Sequence, residues 1–386
     1  MKNNKNRQGF TLIEVMVAIV IFLIVMAASY TIFDAQQKSY ITQRDVAAMQ
    51  QNLRTGMYML GRDIKMANCY LGELGIGYHD DNVHDKQDPT DVGYIKGITA
   101  WDDYDDQGSD VIDIAYSSFT VHTTLRIEMP KSSANLKVEL DSMPDDKDGT
   151  CATTNSEGRY QECFKDNDLI VISDGIHSNL MQVTQVGKTQ GDPHILHAPG
   201  QSDLNYPANK NWDHDGYTVD SRVFKIKYIS YKIDRSDPEH PQLSYCHEVM
   251  PGTDPDSRTL KDDNGDAVKD ADGSDVSCYQ PIAENIEDIQ FAYLLTGDDP
   301  DDLSDDLHDF DGPHSDANDK NTDSDGNFPN VRAVRVSIVA RSDRPFPYYN
   351  GKKPLLENGT EGSDDHYMRR VYTAEFEARN LSLDTD

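Results

Sequence analysis

A glutamate stands at the foot of a stretch of chain that has no polar side chain to offer it. Glu14 follows Phe10-Thr11-Leu12-Ile13, and every residue from Val15 to Ala28 is apolar. An ionised carboxylate at membrane depth costs roughly 2.5–3.5 kcal/mol on insertion scales, so Glu14 needs a positive mate. Gly9 immediately precedes Phe10, and Lys2, Lys5 and Arg7 lie ahead of it. A cut after Gly9 frees an amino group on Phe10. On a neighbouring copy, that amine can pair with Glu14 once many such helices pack side by side.

Two other sets of residues could do chemistry. Asp319, Asn321, Asp323 and Asp325 alternate and run into Gly326, with a second acidic cluster over 262–275. A ligand oxygen at every second position suits a hard cation such as Ca2+. An EF-hand fails, because the twelfth position counted from Asn321 is Arg332. Solvated acidic loops that keep the domain soluble remain the competing reading, and no cofactor is required. The five cysteines form no CxxC pair. In an oxidising compartment Cys151–Cys163 and Cys246–Cys278 are the pairings by proximity, with Cys69 left over; reduced, part-buried thiols are the alternative. His194 and His197 sit at a spacing that sometimes holds zinc and more often marks ordinary surface histidines. GxSxG, P-loop, HExxH and GxGxxG motifs are all missing, so the sequence gives no sign of an enzyme.

The elements that must position these groups begin with one helix. Phe10 to Ile32 is close to the roughly 20 apolar residues needed to cross a bilayer. Beyond Asp34 the chain turns polar, yet Val46, Met49, Leu53, Met57, Leu60 and Ile64 recur at spacings of three and four. That is one apolar stripe, with Gly56 and Gly61 as local weak points. A helix from Phe10 to about Met66 would be roughly 85 Å long at about 1.5 Å per residue. A signal peptide ending near Ala27-Ala28-Ser29 and a plain signal anchor are the rivals, and neither gives Glu14 or Gly9-Phe10 a role. The basic head keeps residues 1–9 on the cytoplasmic side and sends the remainder across.

After Cys69 the pattern changes to short alternating strands between acidic, Gly-rich loops. Ile112, Ile114 and Tyr116 share one face, and Leu169–Ile172 is a buried run that ends in the turn Ser173-Asp174-Gly175. The apolar phase switches within residues 223–233, which predicts a bulge or a break near Tyr228–Ile229. Ile282 to Leu295 predicts a helical turn leading into a strand at Phe291–Leu295. Val334, Val336, Ile338 and Ala340 form one alternating strand, and Tyr372, Ala374, Phe376 and Ala378 another. The expected fold is α+β, a long helix against a mainly antiparallel sheet with acidic loop insertions. Its parts are a cleaved leader (1–9), a helix (10–66, spanning about 10–32) and a β-rich domain (67–386).

The first segment resembles the processing site and first helix of type IV pilins and of type II secretion pseudopilins. Glu284-Asn285-Ile286-Glu287-Asp288-Ile289-Gln290-Phe291, Val334-Arg335-Val336 leading to Ala340-Arg341-Ser342, and Arg369-Arg370 leading to Arg379-Asn380-Leu381 resemble the C-terminal half of PilW-type minor pilins. J-type minor pseudopilins share a similar order. The resemblance implies that a prepilin peptidase cuts at Gly9–Phe10 and methylates the new amine. It further implies that the protein joins other minor and major pilins on an inner-membrane assembly platform, with its C-terminal domain in the periplasm and then on the pilus. A type II pseudopilin and a membrane-anchored, calcium-dependent adhesin remain the alternatives.

Charge narrows the partners. The net charge is -32, and loss of Lys2, Lys5 and Arg7 leaves 33 basic against 68 acidic residues, or -35. Such a chain repels nucleic acid and anionic lipid headgroups.

Overall fold

The computed structural model describes residues 11–69, 76–79, 92–95, 97–101, 104–131, 133–139, 164, 166–175, 177–189, 192–198, 204–205, 215–247, 249, 253–261, 267–295, 331–347, 349–354, 356 and 365–378. One helix, α1, runs Leu12–Met66. Eight strands come next in the chain: β1 Ile76–His79, β2 Val92–Ile95, β3 Ile98–Trp101, β4 Val111–Thr124, β5 Met129–Pro130, β6 Asn135–Lys137, β7 Leu169–Ser173 and β8 Ser178–Gln182. They are followed by β9 Gln185–Thr189, β10 Asp192–Leu196, β11 Gly216–Tyr217, β12 Arg222–Asp234, β13 Gln242–His247, β14 Gln280–Glu284, β15 Ile286–Leu295, β16 Val331–Arg341 and β17 Arg369–Glu377. By contacts the chain divides into residues 1–51 and 52–386. The first unit is helix alone in its described residues. The second contains the end of α1 and every strand.

Two sheets dominate the second unit. A nine-stranded sheet has the order β14-β13-β12-β7-β8-β1-β2, with β4 on the other edge of β12 and β3 beyond it; the smaller sheet is β15-β16-β17. Among the described residues pairing is antiparallel apart from a single parallel contact, Gly77 with Asn179. β12 is the organising strand. On one edge its first residues pair β7 and its last pair β13, while β4 follows the opposite edge.

That centrality corrects one expectation. The register shift in β12 lies between Phe224 and Ile226, not near Tyr228–Ile229. Tyr228, Ile229 and Tyr231 are all buried, so the apolar phase switches because both faces are covered there. A strand in the middle of a sheet with layers on either side reads as a continuous apolar run.

The second correction concerns Ile282 to Leu295. The expected helical turn is a corner between two strands, β14 in the large sheet and β15 in the small one. Asn285 makes the corner at φ +56°, a left-handed conformation that asparagine tolerates. Its carbonyl accepts the N–H of Arg341 at 2.9 Å, which ties the corner to the end of β16.

Within the second unit the last four turns of α1 lie on the sheets. Leu53, Met57, Leu60 and Ile64 are buried, as their spacing predicts for one stripe. Gly56 and Gly61 are more than weak points. A Cβ at position 56 would sit 2.8 Å from Leu243 Cδ2 of β13, and one at 61 would strike the ring of Phe376 on β17. The missing side chains are what let the helix backbone approach both sheets.

Candidate assembly interface

Thr11 and Glu14 build the start of α1 together. Thr11 Oγ1 accepts the Glu14 N–H at 3.3 Å, while Glu14 Oε2 accepts the Thr11 N–H and hydroxyl, each at 2.9 Å. This is a reciprocal capping box, which satisfies N–H groups that a helix start otherwise leaves open. Thr11 therefore shelters the Glu14 carboxylate within its own chain. Gly9 and Phe10 lie outside the described residues.

The helix beyond this cap offers no covered side. An 18-residue window has mean hydropathy 2.8, and none of it is buried. Leu12 is 82 % exposed and Phe22 60 %, and the other large apolar residues to Phe33 are exposed as well. A surface helix of a soluble domain would hide one stripe; this one shows apolar side chains all round, the mark of a lipid-facing or helix-packed segment. Its hydroxyls turn back on the backbone: Ser29 donates to Val25 O and Thr31 to Ala28 O, each at 2.8 Å. Those bonds satisfy the Ser29 and Thr31 hydroxyls within the helix itself. Polarity resumes with the Asp34–Lys38 ion pair at 2.8 Å.

Sequence reasoning missed the groups that seat the other end of the helix. Asp63 is fully buried beside Leu60 and Ile64. Tyr231 of β12 donates to its Oδ2 at 2.5 Å and Tyr116 of β4 to its Oδ1 at 3.3 Å. Arg62 closes the group from outside, with Nε 2.8 Å from Oδ1 and Nη2 3.1 Å from Oδ2. Burial first, and the Asp63 charge second, push both phenols well above their ordinary range, so both stay protonated as donors. The hydrogen bonds to Asp63 hold the Arg62 guanidinium charged. Nearby, Asn52 Nδ2 donates to Glu284 O at 2.7 Å and the Asn68 N–H to Ala115 O at 2.9 Å. An acid inside an apolar stripe was the available signal; the two tyrosines that answer it lie far along the chain.

A second buried pair locks the segment that leads into β14. Arg258 donates to both Asp113 oxygens, at 2.8 and 2.7 Å, and also to Ser230 Oγ, Tyr279 Oη and Thr253 O. Burial alone would lower its pKa, but the Asp113 carboxylate outweighs that and raises it. Cys246 of β13 forms a disulfide with Cys278, two residues ahead of β14. Cys69 is a free, half-buried thiol.

The remaining sequence candidates separate from these sites. Cys151, Cys163, Asp319, Asn321, Asp323 and Asp325 lie outside the described residues. Among the described residues no group of three or more His, Cys, Asp or Glu side chains is placed to hold a metal ion. Asp270 spends one oxygen on the N–H groups of Asp272 and Ser274, and Asp275 pairs with Lys269. His194 is half-buried within β10, and His197 is buried just beyond the end of that strand. A groove of about 560 Å³ beside β12 is lined by Arg235, Lys353, Asp105 and Glu287 among others. Its charges are spent on neighbours, Arg235 on Asp105 at 2.9 Å and Lys353 on Asp288 at 2.9 Å. No nucleophile and base face each other there.

Comparison with known proteins adds two matched segments. Residues 4–30 match the prokaryotic N-terminal methylation motif. Residues 253–380 match the family described as type IV pilus-assembly protein W. No curated protein is matched by the chain. Among solved structures, a type IV-like pilin from Thermus thermophilus is similar at 9% identity and a TM-score of 0.32, over 86% of this chain and 98% of that one.

Proposed function

We propose that this chain, whose residues 4–30 and 253–380 match the N-terminal methylation motif and the type IV pilus-assembly protein W family, is a PilW-type minor pilin that takes part in initiating and assembling a type IV pilus. It enters the inner membrane as a precursor with its C-terminal domain in the periplasm. Prepilin peptidase cuts after Gly9 and methylates the Phe10 amine. The mature helix is then handed to the assembly platform and packs with other minor and major pilins. The chemistry is assembly, and no reaction is assigned to the chain.

The observation that carries this reading is the capped Glu14 under a helix exposed on every side. In lipid, apolar helices gain little from burying against each other, so packing and polar contacts must drive association. Glu14 supplies the polar contact. In the monomer the Thr11 cap keeps its carboxylate bonded. In the filament a methylated Phe10 amine on the next subunit offers the carboxylate a full positive charge, an ion pair that the neutral Thr11 donors cannot supply. Leu12, Ile13 and the run from Val15 provide packing, and Glu14 sets register.

Mass spectrometry of the mature protein tests the first step: the chain should begin at Phe10 with one added methyl group. A chain beginning at Tyr30 would make the segment a conventional signal peptide and end the proposal. Glu14→Ala tests the second step. Cleavage should persist while pili are lost; normal pili with lost adhesion would instead make this a binding module on a membrane anchor.

A further inference from the structure

The outward face of α1 between Asn52 and Met66 is cationic in a chain that is otherwise strongly acidic. The exposed residues on these turns are Arg54, Thr55, Tyr58, Arg62 and Lys65. The one acid in the segment, Asp63, is buried. Arg54, Tyr58, Arg62 and Lys65 are separated by four, four and three residues, so they share one face of the helix. The whole chain has 68 acidic against 36 basic residues, and a stretch bearing three cations and no exposed acid goes against that bias.

The face is also organised. Tyr58 is 72 % exposed. Arg62 is fixed by its two bonds to Asp63, which leaves three of its five N–H groups for an outside acceptor. Lys65 Nζ stands 5.4 Å from the centre of the Phe376 ring. Arg54 has no ion pair among the described residues. A pre-oriented arginine, an exposed tyrosine and flanking cations are the residue types that carry interfaces.

We propose that this face docks a carboxylate-bearing surface of a different pilin-type subunit in the same filament. Charge complementarity selects the occupant. Polyanions such as nucleic acid or an anionic bilayer feel the field of the whole acidic domain and are repelled. A protein surface presents its carboxylates locally, within about 8 Å, where salt hides the distant charges and the stripe dominates. A second copy of this chain would bring its own large negative charge alongside the first, which favours an unlike neighbour.

The inference rests on the pilin reading, and one experiment separates the two. p-Benzoylphenylalanine replaces Tyr58 in the full-length chain, in cells that assemble pili, and the photo-adducts are sequenced. The expected adduct is an Asp- or Glu-bearing peptide of another pilin-type subunit. Its yield should fall about tenfold with Arg54→Glu plus Lys65→Glu, since two exposed ion pairs are worth about one power of ten together. The yield should hold with Arg54→Lys plus Lys65→Arg. A lipid adduct, a second copy of this chain, no adduct, or a yield indifferent to charge reversal would each overturn the docking face. A methylated Phe10 alongside any of those results leaves the pilin reading standing. An unprocessed N-terminus removes both.

Discussion

Asp63 is a carboxylate that has exchanged water for two phenols and a guanidinium. Such a group is costly to leave half-made, because removing one partner of a buried charge exposes the desolvation penalty of the other. Asp63→Asn should therefore lower the unfolding free energy of the full chain in detergent by about 2–4 kcal/mol, and Tyr231→Phe by about 1–2 kcal/mol. Urea titration followed by circular dichroism reads both. If each cost less than about 0.5 kcal/mol, a value typical of surface changes, apolar contacts alone would be seating the helix. Glu14 belongs to the opposite class. Exposed and capped by its neighbour, it contributes little to holding this one chain together, and the role proposed for it is a contact with another subunit.

At the scale of elements, the last turns of α1 owe their position to what is missing at two of them. In an isolated helix Gly→Ala gains about 1 kcal/mol. Gly61→Ala should instead cost about 1–2 kcal/mol here, because the new methyl must displace the Phe376 ring or lift the helix off β17. In a Phe376→Ala background the same change should turn neutral or stabilising, and thermal melts of the four variants give that sign directly. A stabilising Gly61→Ala in the native background would mean that helix and sheet are not closely apposed. β12 and the Asn285 corner follow the same logic, since each local irregularity in the sequence marks where one element serves two neighbours.

For the molecule as a whole, the disulfide closes a separation of 32 residues around the Arg258 pair. A loop of that size is worth about 3–4 kcal/mol in the chain-entropy account. Replacing both cysteines, Cys246→Ser and Cys278→Ser, should lower the unfolding free energy by that amount, and dithiothreitol should do the same to the native protein. Cys69→Ser should leave it nearly unchanged. Equal stability with and without reductant would show that the bond adds nothing in solution. A bond of this kind is at home outside the cytoplasm, which agrees with the placement proposed for this domain beyond the membrane.

The sequence alone determined what depends on neighbours along the chain. Glu14 and the apolar run announced the first helix by composition, and the three-and-four spacing of Leu53, Met57, Leu60 and Ile64 named its buried stripe. The alternation of apolar residues made β16 and β17 legible as strands, although β16 is buried along most of its length and Val371 and Tyr372 of β17 are exposed. Only the tertiary structure decided which distant groups meet. Asp63 with Tyr116 and Tyr231, Arg258 with Asp113, and Gly61 with Phe376 join residues 53 to 315 positions apart with no periodicity to announce them. The phase switch in β12 misled because a strand covered on both faces loses its alternation, and the corner at Asn285 because one left-handed residue turns a strand as readily as a helix ends.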